Sequence, residues 1–263
     1  MSTDAAVSCG ALTKSSDSSR SPRLNRGYPV QINTLLYRNS VLLFTVFVAV
    51  IVWGFWPSYY AHPWQALPAT RYHVHGAVMT AWLLLLLAQA YLIRSNRRAV
   101  HRRVGKASYV LAPLIVATFV IMIHGSGAVQ RHAASDQIRL QTLLFDLLGA
   151  VVLFALFYLL AMLNRHTPAT HARYMICTLF PIYSPSTDRL IGRGFPGNQL
   201  AAECAWFAGD LILLSLAIWD WRSNRRFGPF AVAFTTMVLY HSAYFVAPSI
   251  PGWAAFANWF AHY

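Results

Sequence analysis

Long apolar runs alternate along this chain with short polar intervals that carry most of its arginines. Windows of about 19 residues mark seven apolar stretches, at 41–57, 73–93, 107–124, 141–163, 174–191, 202–220 and 229–247. None alternates at every second position as a barrel strand would, and each is long enough to cross the hydrocarbon core as a helix. The expected fold class is all-α, an integral membrane bundle of seven transmembrane helices over 41–247. Residues 1–40 are polar and rich in Ser and Arg ("SSDSSRSPRLNRG"), which reads as a disordered cytoplasmic tail. No apolar core precedes a small-residue cleavage site there, so no cleaved signal peptide is expected. The end, 248–263, is aromatic ("SIPGWAAFANWFAHY") and reads as an interfacial segment on the outer surface.

The fifth stretch departs from the pattern. "ICTLFPIYSPSTDRLIG" mixes prolines, hydroxyls and an Asp–Arg pair into its apolar run. A six-span reading drops it. A crossing is retained because Arg165 and Arg173 precede it and a polar segment follows. Pro181 and Pro185 each remove a backbone donor, and inside a bilayer the freed carbonyls must be satisfied by protein or water. Discontinuous helices of this kind often build binding sites. Ser184 to Arg189 would then present hydroxyls, a carboxylate and a guanidinium to a cavity. The competing reading is a simple kink, with Asp188 and Arg189 paired to neighbouring helices.

Charge adds orientation. The chain of 263 residues is 57% hydrophobic and 11% charged, against about 25% charged in soluble domains. The net charge of +13 need not mean nucleic-acid binding. With the N-terminus inside, all of the 21 Lys and Arg fall on the cytoplasmic side except Arg71, Arg131, Arg139, Arg189 and Arg193. That asymmetry is the positive-inside pattern of an N-in, C-out protein. "RSNRR" occurs at 94–98 and again at 222–226, in both places as an anchor after a span rather than as a repeat. The expected setting is multi-pass in a bacterial inner (plasma) membrane, with the lipid bilayer as partner and no nucleic acid. Cys9, Cys177 and Cys204 form no close pair, which argues against a disulfide framework or a Cys-based zinc site.

Charges and imidazoles inside a membrane are costly and usually face the bundle interior or a watery cavity. Most of them fall in the outer half. His73, His75, His124 and His241 are candidate metal ligands there, and Asp146, Asp188, Arg189 and Asp210 are candidates for binding substrate or protons. His75, Trp82 and Gln89 are seven apart and share one helix face, which looks buried. His73 and His75 lie two apart, about 200° around a helix, so they could chelate one metal only if the helix began after them. Gly76 allows a helix start or close backbone approach. On the inner side, His101 ("HRRVGK") and His171 ("HARYMI") occupy parallel settings at the start of spans. Facing histidines hold haem iron in membrane cytochromes, so these two are candidate cofactor ligands. The bland reading makes them interfacial residues. No CxxCH for covalent haem is present.

"HRRVG" at 101–105, "HARYM" at 171–175 and the later Arg189 together resemble a bacterial family of uncharacterised multi-pass membrane proteins. That family carries a His-Arg-x-x-Gly motif and a later His-x-x-x-Met motif followed by an arginine. His101, Arg102, Gly105, His171, Met175 and Arg189 match the pattern, whereas Ala172 and Tyr174 stand where bulkier or basic residues are usual. The resemblance covers mainly 73–191. It implies a membrane fold and supplies no reaction.

Three functions remain open from these residues. The leading one is a membrane redox or haem- or metal-binding protein with an outward-facing His/Asp site, haem b or a transition metal as cofactor, and a quinone or other small molecule as substrate. The alternatives are a proton-coupled transporter or small-molecule sensor built on Asp146, Asp210 and Arg189, and a metal-dependent membrane hydrolase.

Overall fold

A computed structural model describes residues 32–61, 70–126, 129–131, 135–194, 199–224 and 227–262. Residues 1–31 of the expected tail lie outside them, whereas 32–40, expected to be disordered, form the start of the first helix. Among the described residues the protein is 91% helix with no strand. The chain runs through α1 (Ile32–Phe55), a π-turn (Trp56–Tyr60), α2 (Thr70–Arg94), α3 (Arg98–Gly105) and α4 (Ser108–His124). It continues through α5 (Gln137–Leu163), α6 (Pro168–Cys177), α7 (Phe180–Gly194), α8 (Gln199–Asn224), α9 (Pro229–Val246) and α10 (Pro251–His262).

Five segments are long and apolar enough to cross a membrane: Val41–Tyr60, Thr70–Arg94, Arg98–Arg131, Gln137–Leu163 and Pro229–Ser249. They cover the first four apolar stretches and the seventh. The other two are built differently. The sixth is one continuous helix, α8, that carries Glu203, Asp210, Asp220 and Arg222. The fifth is two helices. Pro181 has no N–H to give the Cys177 carbonyl, and the chain turns tightly at Thr178 and Leu179. There Leu179 N–H donates to Ile176 at 3.0 Å and Ile182 N–H to Leu179 at 3.1 Å. Pro181 then sits in the first turn of α7, where a missing donor costs nothing. Pro185 lies inside α7 and does not break it.

The helices close into a ring. Neighbours run α1–α2–α4–α5, then α9, α8 and α7 back to α1, and α6 packs against α5 and α9. Trp82, Phe157, Phe180, Leu213 and Phe230 fill the centre without exposure, while Leu42, Trp53, Leu84, Val110, Leu163 and Leu239 point outward. A contiguous apolar exterior of this kind suits lipid and not water. At the α1–α7 crossing a side chain on Gly54 would run into the Ser186 backbone, so a glycine is what lets the two backbones approach.

The aromatic C-terminal segment forms α10. It buries Ala257 and Ala261 and leaves Phe256 and Trp259 exposed. The Trp253 indole N–H donates to Gln141 O at 2.9 Å, and His124 Nδ1–H donates to Phe260 O at 2.9 Å. The segment expected at the interface is therefore a helix docked on α5 and on the end of α4.

Candidate ligand cavity and buried acid–base pairs

A cavity of about 480 Å³ lies between α1, α2, α4, α5 and α7. Its body is apolar, with Met79, Phe119, Met122, Leu147 and Phe154 among its walls. Pro181, Pro185 and Arg189 line one side, so the second half of the broken span does face a cavity. Polar groups cluster where α2 begins: Tyr59, Tyr60, His75, Ser126 and Arg189. The π-turn explains the tyrosines. Its wide last turn, closed by Ala61 N–H to Trp56 O at 2.7 Å, carries the Tyr59 ring onto Gly76, where a Cβ would clash. The Tyr60 hydroxyl lies 3.0 Å from Thr80 Oγ1. The Arg189 guanidinium donates to Pro185 O at 2.7 Å and rests 4.3 Å from the centre of the Phe55 ring.

Hydrogen bonding assigns the tautomer of His75. The Thr118 hydroxyl donates its one proton to Leu114 O at 2.7 Å. Its oxygen can then only accept from His75 Nδ1, 3.1 Å away. Nδ1 carries the proton, and Nε2 is left as an acceptor. Phe119 stacks on the ring at 5.0 Å and 16°, fixing its plane. His75 therefore offers the cavity a hydrogen-bond acceptor, while Arg189 offers a cation.

A second polar group lies on the other side of α5 and α7. His241 Nδ1–H donates to Asp210 Oδ2 at 2.8 Å, with both residues buried. Trp206 stacks on the His241 ring at 5.5 Å and 10°, and its indole N–H donates to Asp188 Oδ1 at 3.1 Å. The Tyr240 hydroxyl lies 2.7 Å from Asp146 Oδ1 and 2.8 Å from the Asp146 carbonyl. Gly149 leaves the space the Tyr240 ring occupies. Asp146 and Asp188 act electrostatically on each other and on His241. His241 Nε2 and Asp210 Oδ1 are buried and have no partner.

Two further groups sit at the opposite end of the bundle. Arg173 donates to Asp220 Oδ1 at 2.8 Å and to Ala169 O at 3.0 Å, and Asn224 donates to the same Asp220 oxygen at 2.5 Å. His101 and His171 lie within electrostatic reach of each other. His171 Nδ1–H donates to Ala161 O at 2.8 Å. With its amide turned so that oxygen and nitrogen are both satisfied, Gln89 donates to His101 Nδ1 and to the His101 carbonyl and accepts from Gly105 N–H at 3.1 Å.

The proposed residues are thus partly assembled. Asp146, Asp188, Asp210 and His241 come together, and Arg189 turns away from them into the cavity. The outer histidines do not converge. α2 begins at Thr70, so His73 and His75 diverge around one helix and cannot form the extended chelate. His73 meets the Tyr59 ring, His75 meets Thr118, and His124 meets α10. Among the described residues no group of three or more His, Cys, Asp or Glu is placed to hold a metal ion. The haem donor set also fits poorly. A ligating histidine ordinarily donates its second N–H to a carbonyl or carboxylate. His171 does so, but His101 receives a donor at Nδ1, which puts its own proton on Nε2. Sequence reading did not single out Thr118, Tyr59, Tyr60, Trp206, Tyr240 or the Arg173–Asp220 pair. The one available signal was Tyr240 beside His241.

The chain matches no protein-family model, no curated protein and no solved structure.

Proposed function

We propose that this is a multi-pass membrane protein that takes a lipophilic small molecule into the cavity between α1, α2, α4, α5 and α7, as a transporter or sensor. The arginine asymmetry supports seven crossings, N-in and C-out, and with the His-Arg-x-x-Gly resemblance supports a bacterial inner membrane. The cavity carries the reading. Its volume lies in the ordinary range for ligand sites, and its apolar walls with a few convergent polar groups are what such sites require. The His75 tautomer narrows the ligand to a molecule with an apolar body and a hydroxyl or N–H donor, and a reduced quinone is one such class. Arg189 suits an oxygen acceptor elsewhere on the same molecule.

The experiment is mass spectrometry of the purified protein in mild detergent, with organic extraction of whatever it retains. Wild type should hold a lipophilic molecule that Ala150→Trp, which fills the cavity with an indole, does not. Equal retention by both would overturn the reading. The haem reading of His101 and His171 competes only if stoichiometric iron co-purifies and is lost in His171→Ala.

A further inference from the structure

We propose that Asp210 and His241 form a proton-binding site buried in the bundle, apart from the ligand cavity, taking one proton on His241 Nε2. The pair is 2.8 Å long and both residues are at least nine-tenths buried. Its inner contact is complete, since Nδ1–H already serves Asp210 Oδ2. Its two outer atoms, His241 Nε2 and Asp210 Oδ1, are buried without a partner. Both orphaned atoms belong to this one pair, and its imidazole is a side chain able to gain a proton at ordinary pH.

The surroundings supply the reason for uptake. Asp146 on α5 and Asp188 on α7 both act on His241. Arg189 is a permanent cation that acts on Asp188. Tyr240 and Tyr244 on α9 border the same space, and Arg139 on α5 and Glu203 on α8 reach it through Tyr244. Asp146, Asp188 and Asp210 thus lie around one imidazole while the Arg189 guanidinium is turned to the cavity, and uncompensated anions inside a membrane are expensive. A proton added to Nε2 forms one N–H bond and turns an anionic pair into a neutral imidazolium–carboxylate pair.

Trp206 is a built-in reporter, because its indole stacks on the imidazole at 5.5 Å and a protonated imidazole quenches indole emission. The test is the tryptophan emission of the full chain in lipid nanodiscs, titrated between about pH 4 and pH 9. The expected result is a one-proton quenching step that is absent in His241→Gln. In Asp210→Asn its midpoint should be displaced by about tenfold or more in proton concentration. A wild-type trace that superimposes on that of His241→Gln overturns the proposal, as does a midpoint unmoved in Asp210→Asn. Should His241→Gln fail to fold, Trp206→Phe isolates the reporter by difference, and a flat difference trace overturns the proposal equally. Ala150→Trp should keep the step, so failure of the cavity reading and failure of the proton site are told apart.

Discussion

Two buried acid–base pairs, each 2.8 Å long, tie α8 to its neighbours at opposite ends of the bundle. Asp220 pairs with Arg173, and Asp210 pairs with His241. At the first, one carboxylate oxygen receives both Arg173 and Asn224, and the cation is permanent. At the second, an oxygen and a nitrogen are left over, and the cation exists only when the imidazole is protonated. Length and burial are the same, yet the first is a clamp and the second can change state. What separates them is the permanence of the cation, since a guanidinium keeps its charge and an imidazole carries one only when protonated.

Breaking the clamp should have the largest effect. Asp220→Ala leaves the Arg173 charge buried, and such a loss typically costs about 3–5 kcal/mol. Thermal unfolding in detergent should show it, and an unchanged midpoint would mean that the pair is not buried in the membrane protein. Gly228→Ala tests the same clamp more gently. Its Cβ would collide with Asp220 Oδ2, and overpacking of this kind costs about 1–3 kcal/mol. Thr118→Val should cost about 1 kcal/mol for the lost hydrogen bond. It should also free the His75 tautomer, visible as a changed imidazole nitrogen shift by NMR. The smallest stability effect belongs to Asp210→Asn, within about 1 kcal/mol, because the amide oxygen can still accept from His241 Nδ1. A loss as large as that of Asp220→Ala would erase the distinction between clamp and switch.

Some of this was legible early because it depends on local physics. The apolar runs that form α1, α2, α4, α5 and α9 need only length and hydropathy. The broken span needs only Pro181, while Pro185, which lacks the same donor, sits within an intact helix. The face shared by His75, Trp82 and Gln89 followed from helical periodicity, and each of the three does point inward, to the cavity, the core and α3. The metal set of His73, His75, His124 and His241 failed to assemble for a geometric reason. Membership of one half of a bundle does not place side chains on facing surfaces.

By itself, then, the sequence determined an all-helical chain with long apolar segments, the lopsided distribution of arginine, and the interruption after Cys177, because each follows from residues within about one turn or one span of each other. Only the tertiary structure decided which carboxylate meets which base, that Asp188 and Arg189 serve different sites although adjacent, and that His75 faces an apolar cavity with Nε2 bare. Those outcomes depend on the rotation and spacing of helices far apart in the chain, and on hydrogen bonds such as Thr118 to Leu114 that commit a proton before the partner histidine can choose its own.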